Sequence, residues 1–484
     1  MTHRLLVRRH EHLSLEDLDP ELAHAPIDSI LWIHMMLQML VWGIMFPAGM
    51  VLGMTKSRWH VPMQATATLL TIMGVILAHR HGGRQFPFTA HAAFAKYVFF
   101  YMLGQAGAGI YLKAHIHERS LRPYVQRLHS IAGRTFPIVG WVQMVLGVIA
   151  ALGTCTGEHF GQCLAHIIMG SSFVGYGVLL LLMAHFGRAW LARKTVSQEF
   201  IDSATITVWG IVNALTEHDF LGHGNGTWPT RDMQHVGLGV LWACGGAVGV
   251  WLSRSGKRSV LPGIIIAMTG FAMSGHAQPT MLATEVHKAF GYVLMLAGLT
   301  KIIECCFDTT RATSSDPTDY DGTIAPFAHL TPLLLTIAGT IFLSAAEDQL
   351  DLIISIGMDH VTYIIGQFSV AFLIYLVASV MISLYNASGN NSNQTGNGRP
   401  VGSPGSSVMA LFARLKGDAP RSTTNSHLPG YQAVDIDLED AHRSDPSPGE
   451  TVFDAAEGRV KMSDLDDDFW QDSEEEREAE TRHT

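Results

Sequence analysis

A succession of long apolar segments is the feature that most constrains how this chain folds. Eleven segments of about 20 residues each are long and apolar enough to cross a bilayer as helices. They run over residues 30–53, 60–79, 91–112, 129–151, 163–186, 201–219, 234–252, 260–276, 286–306, 326–346 and 360–385. Only 15% of the residues are charged, whereas about 25% is usual in soluble proteins. The sequence therefore predicts an all-α, polytopic transmembrane helical bundle of about eleven spans in a lipid bilayer.

The distribution of Lys and Arg between the loops predicts the orientation, because cytoplasmic loops carry an excess of positive charge. The loops that follow odd-numbered segments contain 13 such residues, whereas the N-terminal arm and the other loops contain 6. This asymmetry predicts an N-terminus that is outside or lumenal and a cytoplasmic C-terminal tail. The membrane is either the plasma membrane or an endomembrane, and the sequence leaves the choice open.

Composition divides the chain into five parts. Residues 1–28 form a polar arm, 29–152 a four-helix membrane domain, 153–186 a linking membrane helix and 187–385 a second membrane domain. Residues 386–484 are polar and acidic, so they cannot bury enough apolar surface to fold and are predicted to be disordered. The net charge of −10 comes from this tail, and no basic region suggests a nucleic-acid partner.

One histidine stands near the start of each of the first four helices: His34, His60, His91 and His129. An ionisable side chain is costly in a membrane and marks a functional site by default. Because successive helices alternate in direction, we expect His34 and His91 near the outer face, and His60 and His129 near the inner face. Haem iron accepts two axial imidazoles, so this arrangement predicts two bis-histidine haem b groups. The alternative is that helix-end histidines lie in the membrane interface and bind nothing.

This region resembles the cytochrome b561 core. The matching residues are His34, Trp42-Gly43-Ile44, Pro47-Ala48-Gly49, Trp59-His60, Gln64, Gly74, His91 and His129-Ser130-Ile131-Ala132-Gly133. The resemblance implies two b-type haems, with ligands paired between the first and third helices and between the second and fourth. It also implies electron transfer from cytosolic ascorbate to an outside acceptor such as ferric iron. The chain departs from the family in two places. Met35 stands where glycine usually follows the first ligand, and Ala92-Ala93-Phe94-Ala95 stand where glycine usually comes soon after the third.

A second polar group is expected at the outer ends of later helices. Its predicted members are Glu217, His218, His235, His276 and His287. Imidazoles and carboxylates together are typical ligands of Zn, Fe, Cu or Mn, so these residues form a candidate divalent-metal site. A proton relay, or a polar cluster satisfied by its own hydrogen bonds, is the alternative interpretation.

Residues 187–310 resemble the C-terminal domain of fungal Ytp-like integral membrane proteins. The matching motifs are Asp202-Ser203, Gly210-Ile211-Val212-Asn213, Glu217-His218, Asp232-Met233-Gln234-His235, Trp242, Pro262-Gly263-Ile264-Ile265-Ile266, Thr269-Gly270, His276-Ala277-Gln278 and His287-Lys288-Ala289-Phe290-Gly291. The resemblance implies a polytopic membrane protein and specifies no reaction.

Three hypotheses follow for the whole chain. The first is a b561-like, two-haem protein that transfers electrons across the membrane, as an ascorbate- or ferric-reductase-like oxidoreductase. The second is a haem-free membrane protein that handles metal or protons at the outer-face site. The third is a structural or trafficking membrane protein. The sequence leaves open the oligomeric state and whether the chain is an enzyme.

Overall fold

The computed structural model describes residues 25–157, 160–216, 228, 230–275, 278–307 and 326–391. All regular structure within these ranges is helical, as predicted. The principal helices are α1 (Ser29–Met54), α2 (His60–Arg80), α3 (Ala90–Lys113), α4 (Arg122–Leu152), α5 (Phe160–Gly187), α6 (Arg188–Lys194), α7 (Gln198–Thr216), α8 (Thr230–Ser253), α9 (Leu261–Ser274), α10 (Met281–Phe307), α11 (Leu330–Leu343), α12 (Glu347–Ser355) and α13 (His360–Ala387). The tail beyond residue 391 lies outside the described residues, so its disorder stays a prediction.

Each of the eleven predicted spans coincides with a helix. Among the described helices, eight are long and apolar enough to cross a membrane. These are Ser29–Met54, His60–Arg80, Arg122–Leu152, Phe160–Gly187, Asp232–Gly256, Met281–Phe307, Pro326–Leu343 and His360–Ala387. Helix α9 is apolar but has only 14 residues, which is short for a bilayer. Helices α3 and α7 are also outside the set of eight. The sequence therefore predicted eleven spans, whereas eight described helices meet the requirements of length and hydropathy for crossing a membrane.

Helix α1 begins at a cap that also fixes the loop after α2. The Asp28 carboxylate accepts the backbone N–H of Leu31 at 2.9 Å and that of Gly82 at 2.9 Å. These bonds hold the pKa of the Asp28 carboxyl below its usual value, and the bond from Gly82 has the larger effect. An acidic N-cap satisfies a helix donor that would otherwise have no partner, so Asp28 holds the start of α1 beside the end of α2.

Helices α1 to α4 form an N-terminal bundle with an aromatic centre. Trp42 and Phe136 stack with ring centroids 5.5 Å apart, Phe46 lies 4.6 Å from Trp42, and Tyr101 lies 5.1 Å from Phe136. Trp42 stands in a short π-helical segment, Val41–Met45, that interrupts α1. The buried core of this bundle is therefore concentrated near mid-height and leaves the two ends to polar residues.

The remaining helices pack in close pairs through small residues: α5 with α11, α7 with α8, and α9 with α10. At the α9–α10 crossing, a Cβ added to Gly270 would come within 2.5 Å of the Gly291 carbonyl oxygen. Such contact between backbones is typical of membrane helices, where small residues take the place of a hydrophobic driving force. Helix α5, predicted as a linking helix, contributes Leu180 and Phe173 to the core of this half.

Two covalent or polar links were not anticipated from the sequence. Cys155 and Cys163, on either side of the α4–α5 connection, form a disulfide. At the other end of the fold, Ser388 Oγ lies 2.8 Å from Thr55 Oγ1, and the Asn390 N–H donates to the Thr55 carbonyl at 2.9 Å. The end of α13 is thereby attached to the end of α1, so the two halves share this contact.

Candidate functional site

The predicted outer histidines face each other across the N-terminal bundle. The ring centroids of His34 and His91 lie 6.5 Å apart, with the ring planes at 82°. His34 Nδ1 donates to the Gly74 carbonyl at 2.8 Å, and His91 Nδ1 donates to the Gln143 carbonyl at 3.1 Å. Carbonyl oxygens only accept, so these bonds require a proton on Nδ1 of each ring and leave Nε2 able to ligate a metal. Gln143 Nε2 also lies 3.0 Å from His91 Nδ1.

The predicted inner histidines form a second pair with nearly the same geometry. The His60 and His129 centroids lie 6.3 Å apart, with the ring planes at 81°. His60 Nδ1 donates to the Gly49 carbonyl at 2.7 Å. His129 Nδ1 is buried and has no hydrogen-bond partner among the described residues. Gln105 Nε2 donates to the His129 backbone carbonyl at 3.0 Å.

The two pairs lie at opposite ends of the bundle. His60 begins α2, and the Gly74 carbonyl that holds His34 lies fourteen residues further along the same helix. At 1.5 Å per residue, this separation is about 21 Å along the helix axis. The aromatic centre around Trp42 and Phe136 lies between the two ends. The arrangement therefore places one pair of imidazoles near each end of the bundle.

Glycine at position 53 is required by the inner pair. A Cβ at Gly53 would lie 2.7 Å from His60 Nδ1, whereas a Cβ at Gly109 would lie 3.6 Å from His129 Cε1, an ordinary contact. We expect Gly53→Ala to turn the His60 ring away from His129 and to remove metal or cofactor bound between them. Gly109→Ala should retain it. Cofactor content of the two purified variants measures the difference, and equal retention in both would contradict this geometry.

The outer metal group predicted in the second half is described only in part. Glu217, His218 and His276 lie outside the described residues. His235, at the start of α8, is half-buried, and its carbonyl accepts from Asn213 Nδ2 at 2.9 Å. His287 is 4% exposed. Within the described ranges, no group of three or more His, Cys, Asp or Glu side chains could hold a metal ion, so this site stays a prediction.

Sequence reasoning missed two further imidazole pairs in the second half. The His166 and His287 centroids lie 5.9 Å apart at 86°, and those of His185 and His329 lie 6.2 Å apart at 69°. His166, His185 and His329 stand near the ends of apolar segments, as the first four histidines do. Their position near helix ends could have indicated ligands, but no neighbouring motif resembled a known haem-binding sequence.

A buried charged cluster forms the remaining polar feature of the second half. Lys301 Nζ lies 3.7 Å from Asp202 Oδ2 and 3.7 Å from Glu304 Oε2, and both Lys301 and Asp202 side chains are 4% exposed. Arg258 donates to Glu199 Oε1 at 3.0 Å. Buried charges in a membrane protein are costly unless they are paired, and they mark candidate functional positions.

A cavity adjoins this cluster. It has a volume of about 280 Å³ and is lined by charged side chains, including Glu199, Arg258, Lys301 and Glu304, and by apolar residues of α5. The cavity gives these charges access to a small volume that water or a small polar solute can enter.

Comparisons with known proteins identify related sequences but no similar solved structure. The sequence profile described as "Protein YTP1-like, C-terminal" matches residues 139–386. A domain of unknown function, DUF2427, matches residues 20–115. No solved structure is significantly similar to this chain. The two profiles together include parts of both halves of the fold. The YTP1-like profile begins at residue 139, within α4.

Three curated fungal proteins are similar to the chain. Protein YTP1 of Saccharomyces cerevisiae is 39% identical over 250 residues, which is 51% of this chain and 52% of YTP1. An uncharacterized membrane protein of Schizosaccharomyces pombe is 22% identical over 452 residues, covering 66% of this chain and 87% of the relative. A second uncharacterized membrane protein, from S. cerevisiae, is 23% identical over 273 residues, or 45% and 42% of the two chains. The match thus spans about half the length of YTP1. Together with the apolar helices, these relatives show that the chain is an integral membrane protein.

Proposed function

We propose that this chain, which belongs to the YTP1-like family, carries electrons across its membrane by means of two haem b groups held in the N-terminal bundle. The observation that carries the proposal is the pairing of four imidazoles into two facing sets, 6.5 Å and 6.3 Å between centroids. A resemblance of the same bundle to cytochrome b561 supports it.

The spacing of the rings fits a metal bound between two imidazoles. A histidine nitrogen lies about 2.0 Å from a bound metal, and about 1.2 Å separates that nitrogen from its ring centroid, so two coaxial imidazoles have centroids about 6.4 Å apart. Both observed distances agree with this value. In three of the four rings, Nδ1 donates to a backbone carbonyl. Such outer partners fix the ring and the tautomer of a ligating histidine.

A haem held by two imidazoles supplies a one-electron redox centre with no open position for a further ligand. The protein contributes the rest of the function. His34 and His91 hold one centre near the outer face, and His60 and His129 hold the other near the inner face. The stacked Trp42 and Phe136 fill the space between them and exclude water from the middle of the bundle.

The inner end of the bundle suits an anionic reductant such as ascorbate. Lys56, Arg58 and Arg127 are exposed and flank the inner histidines His60 and His129 in the sequence. We infer that this end faces the cytosol, since it carries the positive charge of the short loops. The Cys155–Cys163 disulfide is at the opposite end, and disulfides persist in oxidising compartments outside the cytosol. The position of the disulfide supports this orientation.

The haem content of purified full-length protein tests this function. We expect a reduced-minus-oxidised b-type spectrum in detergent, and the loss of one haem per chain in His60→Ala or His129→Ala. His79→Ala is the matched control, because His79 is an exposed histidine on the same helix as His60. Wild-type protein that binds no haem, after expression with ample haem precursor, would exclude the proposal, as would equal haem content in His60→Ala and His79→Ala.

A second candidate function is haem-free handling of protons or metal. The buried Lys301, placed between Asp202 and Glu304 beside a cavity, favours proton handling. The outer group of His218, His235, His276, His287 and Glu217 remains the candidate metal site for this alternative. A colourless purified protein would leave this second function as the one to pursue.

A further inference from the structure

We propose that His185 and His329 bind a third haem, in the second half of the chain. Their ring centroids lie 6.2 Å apart, within 0.3 Å of the distances in the two N-terminal pairs. This spacing again agrees with about 6.4 Å for a metal between two imidazoles. The two histidines belong to different helical segments, at the end of α5 and just before α11. The site is separate from the N-terminal bundle and does not depend on haem being bound there.

Hydrogen bonds to Nδ1 orient both rings for ligation. His185 Nδ1 donates to the Leu181 carbonyl at 2.9 Å. His329 Nδ1 lies 2.8 Å from Tyr375 Oη, and the Tyr375 hydroxyl donates to the His329 carbonyl at 3.4 Å. A metal on Nε2 of His329 would leave the proton on Nδ1, which would then donate to Tyr375 Oη. Nε2 is therefore the nitrogen of each ring that we assign to the metal, as in ligating histidines with an outer hydrogen-bond partner.

Local helix geometry also marks His185. It lies in the middle of a π-helical turn, Met183–Gly187, at the end of α5. Such turns are rare and are frequent at functional sites, because the extra residue changes the direction of a side chain. A regular α-helix would direct His185 differently relative to His329.

The His166–His287 pair is more deeply buried than the His185–His329 pair, and for this reason we assign the haem to His185 and His329. The buried pair has a similar spacing, 5.9 Å, but His166 is 8% exposed and His287 is 4% exposed. Phe342 stacks on His166 at 4.7 Å, so this pair is enclosed by the aromatic core of the second half. His185 and His329 are half-buried, and the rings beside them, Phe186 and Tyr375, have centroids 6.0 Å and 6.2 Å away.

Haem stoichiometry tests the assignment. We expect about three haem b per chain in wild-type protein by pyridine haemochrome assay, and about two in His329→Ala and in His185→Ala. His360→Ala is the control, because His360 is a half-buried histidine at a helix start, and no imidazole of the described residues faces it. Should the alanine variants fail to fold, Tyr375→Phe serves instead. Loss of an outer-shell partner typically weakens metal binding 10- to 100-fold, so one haem of three should transfer to apomyoglobin correspondingly more readily.

The outcomes separate this site from the N-terminal ones. Two haems in wild type and no loss in His185→Ala or His329→Ala would overturn the third site while leaving the N-terminal proposal intact. Loss of one haem in His329→Ala but none in His60→Ala would retain the third site and exclude the inner site of His60 and His129. A bare transition metal, detected by mass spectrometry and lost in His329→Ala without any loss of haem, would overturn the assignment of haem.

Discussion

Electron transfer across a bilayer is expected to stop in the His60→Ala variant, although haem remains between His34 and His91. The two pairs lie about 21 Å apart along the helix axis, and each serves one membrane face. Removing the inner centre leaves a long apolar path between the cytosolic reductant and the outer centre. Loss of this one haem should therefore abolish nearly all electron transfer across the membrane. His34→Ala, which removes a ligand of the outer haem, should have the same effect.

Proteoliposomes provide the measurement. Ascorbate is added to one compartment and ferricyanide is trapped in the other, so that reduction of ferricyanide reports transfer through the protein. We expect His60→Ala and His34→Ala vesicles to match protein-free vesicles, and His79→Ala vesicles to match wild type. A His60→Ala rate above half of the wild-type rate would show that electrons do not need the inner pair, and would contradict the proposed path.

Topology alone predicted which histidines of the N-terminal bundle lie at the same end. When helices alternate in direction, residues at the starts of alternate helices share a membrane face, so His34 was expected at the same end as His91, whereas the approach of their rings depends on helix packing. The same argument predicted a common face for His235 and His287. It could not predict that the His287 ring would face His166, because the rotation of a helix about its axis depends on packing with all its neighbours.

Other features of the fold depend on interactions that a sequence pattern does not contain. Cys155 and Cys163 are eight residues apart across a helix start, and only the geometry of that turn brings them together. Asp202 weakens the apolar pattern of its segment, and the sequence offers no sign that Lys301, a hundred residues later, neutralises it. Compensation of a buried charge requires knowledge of which helices are neighbours, and that follows here from glycine contacts between α7, α8, α9 and α10.

Loss of Lys301 is expected to cause the largest change in stability. Lys301→Met keeps most of the side-chain volume but leaves Asp202 and Glu304 without their cation. Removing one partner of a buried ion pair typically costs about 3–5 kcal/mol in the free energy of unfolding, because the remaining charge stays buried. The hydrogen bond between Tyr176 and Asp202 offsets only part of this cost, since a hydroxyl carries no formal charge.

A second ion pair on the same helix supplies the control. Lys288 and Glu285 are closer, 2.8 Å, but their side chains are 37% and 29% exposed. Exposed ion pairs contribute little, so Lys288→Met should leave the unfolding midpoint almost unchanged in a detergent-based denaturation series. The double variant Lys301→Met/Asp202→Leu should recover much of the loss, because replacing both partners by apolar residues removes the uncompensated charge. Equal effects of Lys301→Met and Lys288→Met would show that burial does not set the strength of the Lys301 interaction. Failure of the double variant to recover would show instead that Lys301 acts mainly through Glu304.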